Sequence, residues 1–300
     1  MASVSVFGGG SWGRALAFSL SQKNEVCIVS RRDVRDMVAA NIRQVELTEA
    51  LMSEYFVIAI ATNALRDWLG GIALPKDCKI LAASKGIETA HNAFVSDIYA
   101  QYTSQNNVAY LCGPSFASEV LQSLPCALVI HAHNLLLAQE FGALMPSFIK
   151  TYESLDVIGG EIAGAYKNVI AIAAGICDGL NLGANAKASL LARGLVEMNR
   201  FGEHFGAKME TFLGLSGAGD LFLTSNSTMS RNYRVGLGLA KGKTMQDILC
   251  ELGEVAEGVK TSEAITKIGQ EKGIYVPIAH EVYAITEGKN IKESLDTLMK

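Results

Sequence analysis

Apolar residues along the first half of the chain fall in short runs that alternate with stretches of helical spacing. The runs Ser3–Phe7, Glu25–Ser30, Tyr55–Ala61, Lys79–Ser84, Asn107–Leu111, Ala127–His131 and Thr151–Ser154 have the length and composition of strands. Between them the pattern predicts helices over Trp12–Gln22, Val34–Arg43, Leu65–Leu69, Asn92–Gln101 and Leu135–Met145. Asp33, with Asp36 three residues later, reads as the N-cap of the second of these. Such alternation builds an α/β domain, a mainly parallel sheet covered by helices. Beyond about Gly159 the strand signals stop. Residues 161–177 are almost wholly apolar, as in a helix buried on most sides, and Leu191, Leu195, Met198, Phe201 and Phe205 line one face of another. From Arg234 to Lys300 the chain reads as short helices separated by Gly-containing turns. With no internal repeat and no Pro- or Ser-rich linker, the expected division is 1–155 and 156–300, meeting at a packed junction.

Composition narrows the class. Hydrophobic residues make up 49% and charged residues 19%, with 29 Gly and only 5 Pro, which excludes a disordered or Gly/Pro low-complexity chain. The net charge is −4 and no basic run exceeds Arg31-Arg32, so no nucleic-acid footprint is present. Met1-Ala2-Ser3 lacks the basic start of a signal peptide. The windows Phe56–Ala61 and Val169–Ile176 fall short of the ~18 residues of a membrane span. Six scattered cysteines predict free thiols in a reducing cytoplasm. His131 and His133 share a strand face without a third ligand nearby, so no metal site is expected.

Gly8, Gly10 and Gly13 form G-x-G-x-x-G. The pattern is weak alone, but here it follows a strand and opens a helix, the context of a dinucleotide site. Glycines permit the tight turn and close backbone approach, and the helix N-terminus offers N–H groups to a pyrophosphate. The second strand runs into Ser30-Arg31-Arg32, where an NAD-preferring site carries an acid. Two guanidiniums suit a 2′-phosphate, so NADPH is the expected cofactor over NADH, and Asp33 is one step late. Ala61-Thr62-Asn63, Lys85-Gly86 and Gly113-Pro114-Ser115 follow the third, fourth and fifth strands. Ligands of open α/β sheets bind outside the carboxyl ends of the strands, so these segments predict a cleft there.

Lys167 lies in the apolar stretch 161–176, with Asn168 beside it. A lysine there must find a partner, reach water or lose its proton easily. A carbonyl undergoing hydride reduction needs a proton donor at its oxygen, which a desolvated ammonium supplies; a snorkelling lysine at a helix edge fits the helix equally well. Gly214-Leu215-Ser216-Gly217-Ala218-Gly219-Asp220 ends in a carboxylate, and Ser230-Arg231-Asn232 carries groups suited to phosphate oxygens.

These segments together resemble the bacterial NAD(P)-dependent glycerol-3-phosphate dehydrogenases. The likeness rests on Gly8-Gly9-Gly10-Ser11-Trp12-Gly13, Ser84-Lys85-Gly86, Gly113-Pro114-Ser115-Phe116-Ala117, and Tyr166-Lys167-Asn168-Val169-Ile170-Ala171. It continues, in order, through Ser216–Leu221, Ser230-Arg231-Asn232 and Glu257-Gly258-Val259-Lys260-Thr261. The resemblance implies a Rossmann domain followed by an all-α domain like that of 6-phosphogluconate dehydrogenase, as a homodimer. It implies reversible reduction of dihydroxyacetone phosphate to sn-glycerol 3-phosphate for phospholipid synthesis, with Lys167 as proton donor and acceptor. Lys85, Gly113, Ser115, Lys167, Asp220, Ser230, Arg231 and Asn232 would hold the substrate. Gly8, Gly10, Ser11, Trp12, Gly13, Arg31, Arg32, Lys85, Ala117, Arg231, Val255 and Glu257 would surround NADPH/NADP or NADH/NAD. The chain departs from the family at Ala61-Thr62-Asn63, Cys126, Ala184 and in a short 41–54 stretch. A β-hydroxyacid or 6-phosphogluconate-type dehydrogenase is the enzymatic alternative, and a non-catalytic NADPH-binding sensor is the alternative from another class.

Overall fold

The computed structural model describes residues 1–253 and 256–299. The chain forms two compact units, Met1–Ser84 with Val95–Val157, and Lys85–Phe94 with Ile158–Lys300.

The first unit is built on β1 (Ser3–Phe7), α1 (Ser11–Leu20), β2 (Glu25–Val29), β3 (Ile42–Gln44), α2 (Leu47–Ala50) and β4 (Tyr55–Ile58). Then come α3 (Thr62–Gly70), β5 (Lys79–Ala82), α4 (Val95–Tyr99), β6 (Val108–Cys112), α5 (Ala117–Val120), β7 (Cys126–Ala132), α6 (Leu135–Leu144) and β8 (Ile149–Ser154). One sheet runs in the order β3-β2-β1-β4-β5-β6-β7-β8. All neighbours are parallel except β6 and β7. Val6 sits opposite Ile28 on one side and Val57 on the other. β4 and β6 are buried throughout because helices cover both faces of the sheet, so they read as continuous apolar runs, whereas β1 alternates serine with apolar residues. The strand order reverses between β1 and β4, the switch point at which doubly wound sheets bind ligands.

One stretch departs from the sequence pattern. Residues 34–43, expected as a helix, hold a 3₁₀ turn at Arg35–Met37 and then enter β3, which pairs with β2 through Val26 and Ile42. Asp33 caps no helix; its carboxylate accepts from the Arg35 backbone N–H and is paired with the Arg35 guanidinium. A three-residue edge strand is too short to show a period of two, so local spacing favoured the helix. The short 41–54 stretch nevertheless supplies both β3 and α2.

The second unit contains α7 (Val157–Gly179), α8 (Ala184–His204), α9 (Met209–Leu213), a π-helical turn (Leu215–Gly219), α10 (Asp220–Ser225) and α11 (Arg231–Ala240). α12 (Met245–Leu252), α13 (Glu257–Lys272), α14 (Pro277–Thr286) and α15 (Ile291–Met299) complete it. α7 is long and apolar enough to cross a membrane, longer than its most apolar sequence windows suggest, but 94% of that window is buried in the protein's own core. Its partner α11 crosses at backbone contact: a Cβ on Gly175 would lie 2.1 Å from the Tyr233 carbonyl oxygen, and one on Gly236 2.1 Å from that of Ile172. Glu197, buried in α8, accepts from the backbone N–H groups of Ile278 and Ala279 in the first turn of α14, and from the Tyr166 hydroxyl. The expected division at 155/156 leaves residues 85–94 with the sheet, whereas Ile87 and Phe94 are buried in the helical unit's core.

Candidate functional site

In the sheet unit the glycine motif is spent on close approach. Gly8 follows β1 with φ +119°, and a Cβ there would lie 2.5 Å from the Ala59 carbonyl oxygen. One on Gly13 would lie 1.9 Å from the Gly8 carbonyl oxygen. Gly10 differs: its Cβ position opens onto empty space, and as N-cap of α1 it offers no capping side chain. The first turn of α1 therefore presents backbone N–H groups beside an open approach, and the Trp12 indole N–H next to it is buried without a partner among the described residues. A dinucleotide pyrophosphate fits this turn.

The turn after β2 is held by a residue that its own segment does not reveal. Gln44, on β3, donates to the carbonyls of Ser30 and Arg32 and accepts from the Val34 backbone N–H. Ser30 Oγ accepts from the Arg32 N–H at 3.2 Å. Arg31 and Arg32 are exposed on this fixed backbone. Asp33, the only nearby acid before Asp36, is engaged by Arg35, whose hydrogen bonds hold its carboxyl down at about 2. Gly113 (φ +113°) shapes the turn after β6, where Ser115 donates to the Gly113 carbonyl and Ala117 opens α5.

In the helical unit Asp220 is 1% exposed and sits between two ammoniums. Lys167 Nζ donates to its Oδ1 at 2.8 Å and Lys85 Nζ to its Oδ2 at 2.9 Å. The glycine-rich stretch before it is a π-helical turn, in which a Cβ on Gly217 would lie 2.1 Å from the Phe212 carbonyl oxygen. Burial pushes the Asp220 carboxyl up, but the two lysines outweigh burial and hold it below its usual value. Burial lowers Lys167; Asp220 opposes that and the neighbouring Lys85 adds to it. Glu257 opens α13, and burial raises its carboxyl against the pull of Arg231, Lys167 and Lys85. An ammonium so placed gives up its proton more readily than an exposed lysine, which suits acid–base chemistry.

The Ser-Arg-Asn segment divides its labour. Ser230 is the N-cap of α11, accepting from the Tyr233 N–H. Asn232 donates to Asn168 Oδ1 at 2.9 Å and accepts from the Gly258 N–H at 2.9 Å, so its amide ties α7, α11 and α13 together. Arg231 is half-buried at the first position of α11 and near Glu257. The helical unit thus gathers Lys85, Lys167, Asp220, Arg231, Asn232 and Glu257, while Val255 lies outside the described residues. The sheet unit carries Gly8, Gly10, Ser11, Trp12, Gly13, Arg31, Arg32, Gly113, Ser115 and Ala117. Sequence reasoning missed Gln44 and Glu197, which act through tertiary contacts that leave no local signal.

Comparison with known proteins agrees with both halves. The chain matches the model of the NAD-dependent glycerol-3-phosphate dehydrogenase N-terminus over residues 3–138 and that of the C-terminus over residues 156–296. It is 67% identical to the glycerol-3-phosphate dehydrogenase (NAD(P)+) of Helicobacter hepaticus, covering 100% of both chains. It is 61% identical to that of Wolinella succinogenes over 99% of this chain and 98% of the relative. The crystal structure of glycerol-3-phosphate dehydrogenase from Coxiella burnetii superposes with a TM-score of 0.94 at 28% identity, over 100% of this chain and 99% of that one. With a glycine turn shaped for a dinucleotide and a buried lysine–aspartate pair in a helical unit, the chain belongs to the NAD-dependent glycerol-3-phosphate dehydrogenase family.

Proposed function

We propose that the Lys85–Asp220–Lys167 cluster is the proton-handling centre of a glycerol-3-phosphate dehydrogenase, with Lys167 as the acid. The protein is an NAD(P)-dependent oxidoreductase that interconverts dihydroxyacetone phosphate and sn-glycerol 3-phosphate. The observation that carries the assignment is one buried carboxylate shared by two ammoniums.

A bound dihydronicotinamide supplies the hydride that reduces C2 of the ketone. Lys167 gives a proton from Nζ to the C2 oxygen as negative charge develops there, and takes it back from the C2 hydroxyl in the oxidative direction. Asp220 Oδ1 fixes the Lys167 ammonium, so the acid is oriented before substrate arrives. Lys85, held by the other carboxylate oxygen, polarises the same oxygen. Arg231 grips the substrate phosphate, and Asn232 fixes the backbone from which it projects. The phosphate is remote from the reacting carbon, so its binding energy orients the carbonyl. Gly113 and Ser115 complete the substrate set; Ser11, Trp12, Ala117, Val255 and Glu257, with Lys85 and Arg231, complete the cofactor set alongside the glycine turn.

NADPH is preferred over NADH, because Arg31 and Arg32 are exposed on a braced turn where the nearest carboxylate is already paired. The homodimer and the cytoplasmic location follow the family resemblance; sedimentation and cell fractionation test them. Loss of nicotinamide absorbance on adding dihydroxyacetone phosphate tests the activity. Turnover of a β-hydroxyacid with none of dihydroxyacetone phosphate would overturn the substrate, and cofactor binding without any turnover would leave a sensor.

A further inference from the structure

Lys85 follows the sheet unit's β5 in sequence, yet it packs with the helical unit, and so do the nine residues after it. This ten-residue strap is fastened at both ends. At its start Lys85 Nζ lies 2.9 Å from Asp220, and Gly86 turns the chain with φ +121°. At its end Phe94, 6% exposed, packs edge-on against Phe205 with ring centroids 5.1 Å apart. In between, Glu88 and Ala93 exchange backbone hydrogen bonds of 2.9 and 3.2 Å, and the buried Glu88 carboxylate pairs with His91 at 3.0 Å. The aromatic contacts do not stop at Phe205. Phe205 packs on Phe201, and Phe201 packs on Tyr166, the residue before Lys167.

A closed path therefore runs from Lys85 through Asp220 to Lys167, and from Tyr166 through Phe201 and Phe205 to Phe94 and back along the strap. Rings in edge contact resist sliding, and the Glu88–Ala93 bridge leaves the strap little slack to absorb a shift at its far end. We propose that Phe94 is a positioning residue for the reaction: anchored on Phe205, it holds the strap so that the Lys85 ammonium stays on Asp220. Glu88 supports the same geometry by closing the strap. The inference rests on the assignment of Lys85 and Lys167 made above and adds how Lys85 is held. It also makes the two-lysine cluster a property of the helical unit's own packing.

A double-mutant cycle tests it on the full-length enzyme, with kcat/KM for dihydroxyacetone phosphate and cofactor Kd measured for each variant. Phe94→Ala is expected to lower kcat/KM about tenfold with cofactor Kd weakened no more than in Lys85→Met, and Phe94→Leu, which refills most of the site, to recover most of that loss. Lys85→Met is expected to lose about a hundredfold, and Lys85→Met/Phe94→Ala no more than Lys85→Met alone, because Phe94 acts only through Lys85. Losses that multiply in the double variant, or a Phe94→Ala enzyme with wild-type kcat/KM, would overturn the strap while leaving the assignment of Lys85 standing. An unchanged kcat/KM in Lys85→Met would instead overturn the assignment itself. If Phe94→Ala does not fold, Phe205→Leu and Glu88→Gln enter the same cycle and are read by the same criterion.

Discussion

The two units prepare for ligand by opposite means. The sheet unit does it by leaving side chains out: Gly8 and Gly13 allow backbone to meet backbone, and Gly10 leaves an open approach to the first turn of α1. The helical unit does it by putting charge where apolar residues dominate, with Lys167 and Asp220 buried in contact. The first arrangement costs backbone entropy and, at Gly8 and Gly13, is intolerant of any added atom. The second costs desolvation, and it is stable only while each ion keeps its partner. A substitution confined to the glycine turn should therefore damage cofactor binding and spare the acid, and one at Lys167 should do the reverse.

The largest expected effect is in the charged cluster. Lys167→Ala removes the proposed acid while Lys85 remains to neutralise Asp220, so the fold should survive and kcat should fall by about a thousandfold or more. Cofactor affinity, measured by quenching of nicotinamide fluorescence, should stay within about twofold. Near-normal turnover would remove the proposed chemistry, and lost cofactor binding would break the separation between the units.

The reciprocal change is Gly13→Ala. Its Cβ would have to occupy a position 1.9 Å from a carbonyl oxygen belonging to the glycine turn itself, which no rotamer change relieves. Cofactor affinity should fall by about a hundredfold, with the pH dependence of the residual turnover unaltered because Lys167 and its neighbours are untouched. A shifted pH profile would mean that the glycine turn and the lysine cluster are not independent.

How much of this was legible in the sequence follows the same division. A site made of absent side chains announces itself by glycine spacing after a strand, and Gly8-x-Gly10-x-x-Gly13 was readable for that reason. A buried charge announces itself by contrast, and Lys167 stood out in a helix with few other polar groups. Braces are different. Gln44 fixes the turn bearing Arg31 and Arg32 from a three-residue strand whose pairing partner is remote in sequence, and the helix expected at 34–43 hid it. The strap was likewise invisible, because Lys85–Phe94 follows a strand and precedes a helix of the sheet unit while its apolar residues are used elsewhere. Asn232 was legible as a polar residue in the right segment, but its role as a tie between three helices depends on where Gly258 comes to rest.

The buried charges of the helical unit have a counterpart in the sheet, where burial keeps a group neutral. His131 on β7 is 1% exposed, and burial lowers its pKa from 6.5 to about 4 against the opposing pull of Asp156. A base whose folded pKa is depressed binds protons more readily when unfolded, so stability is fully present above about pH 6.5 and lost as pH falls toward 4. The loss across that window should be roughly 3 kcal/mol. Urea midpoints from pH 7 to 4 should show it for the wild type and show a shallower slope for His131→Phe, after allowance for the carboxylates that titrate in the same range. Equal slopes would place the acid sensitivity elsewhere.

The smallest effect concerns cofactor choice, and it separates the two ways of binding within the sheet unit itself. The glycine turn is proposed to meet the pyrophosphate common to both cofactors, where it could not discriminate. Discrimination must come from side chains near the ribose, and the braced turn after β2 exposes Arg31 and Arg32, the residues proposed to serve there. Both are solvent-exposed, so each contact with a 2′-phosphate is screened and worth about 0.7 kcal/mol. Arg31→Ser with Arg32→Ser should therefore weaken NADPH about tenfold and leave NADH nearly unchanged. Removing the brace with Gln44→Ala, while keeping both arginines, should give part of the same loss, because guanidiniums on a loosened turn must be ordered as the cofactor binds. If NADPH affinity survives the double arginine change, the 2′-phosphate is held by another part of the chain and Gln44 braces a turn with no part in cofactor choice.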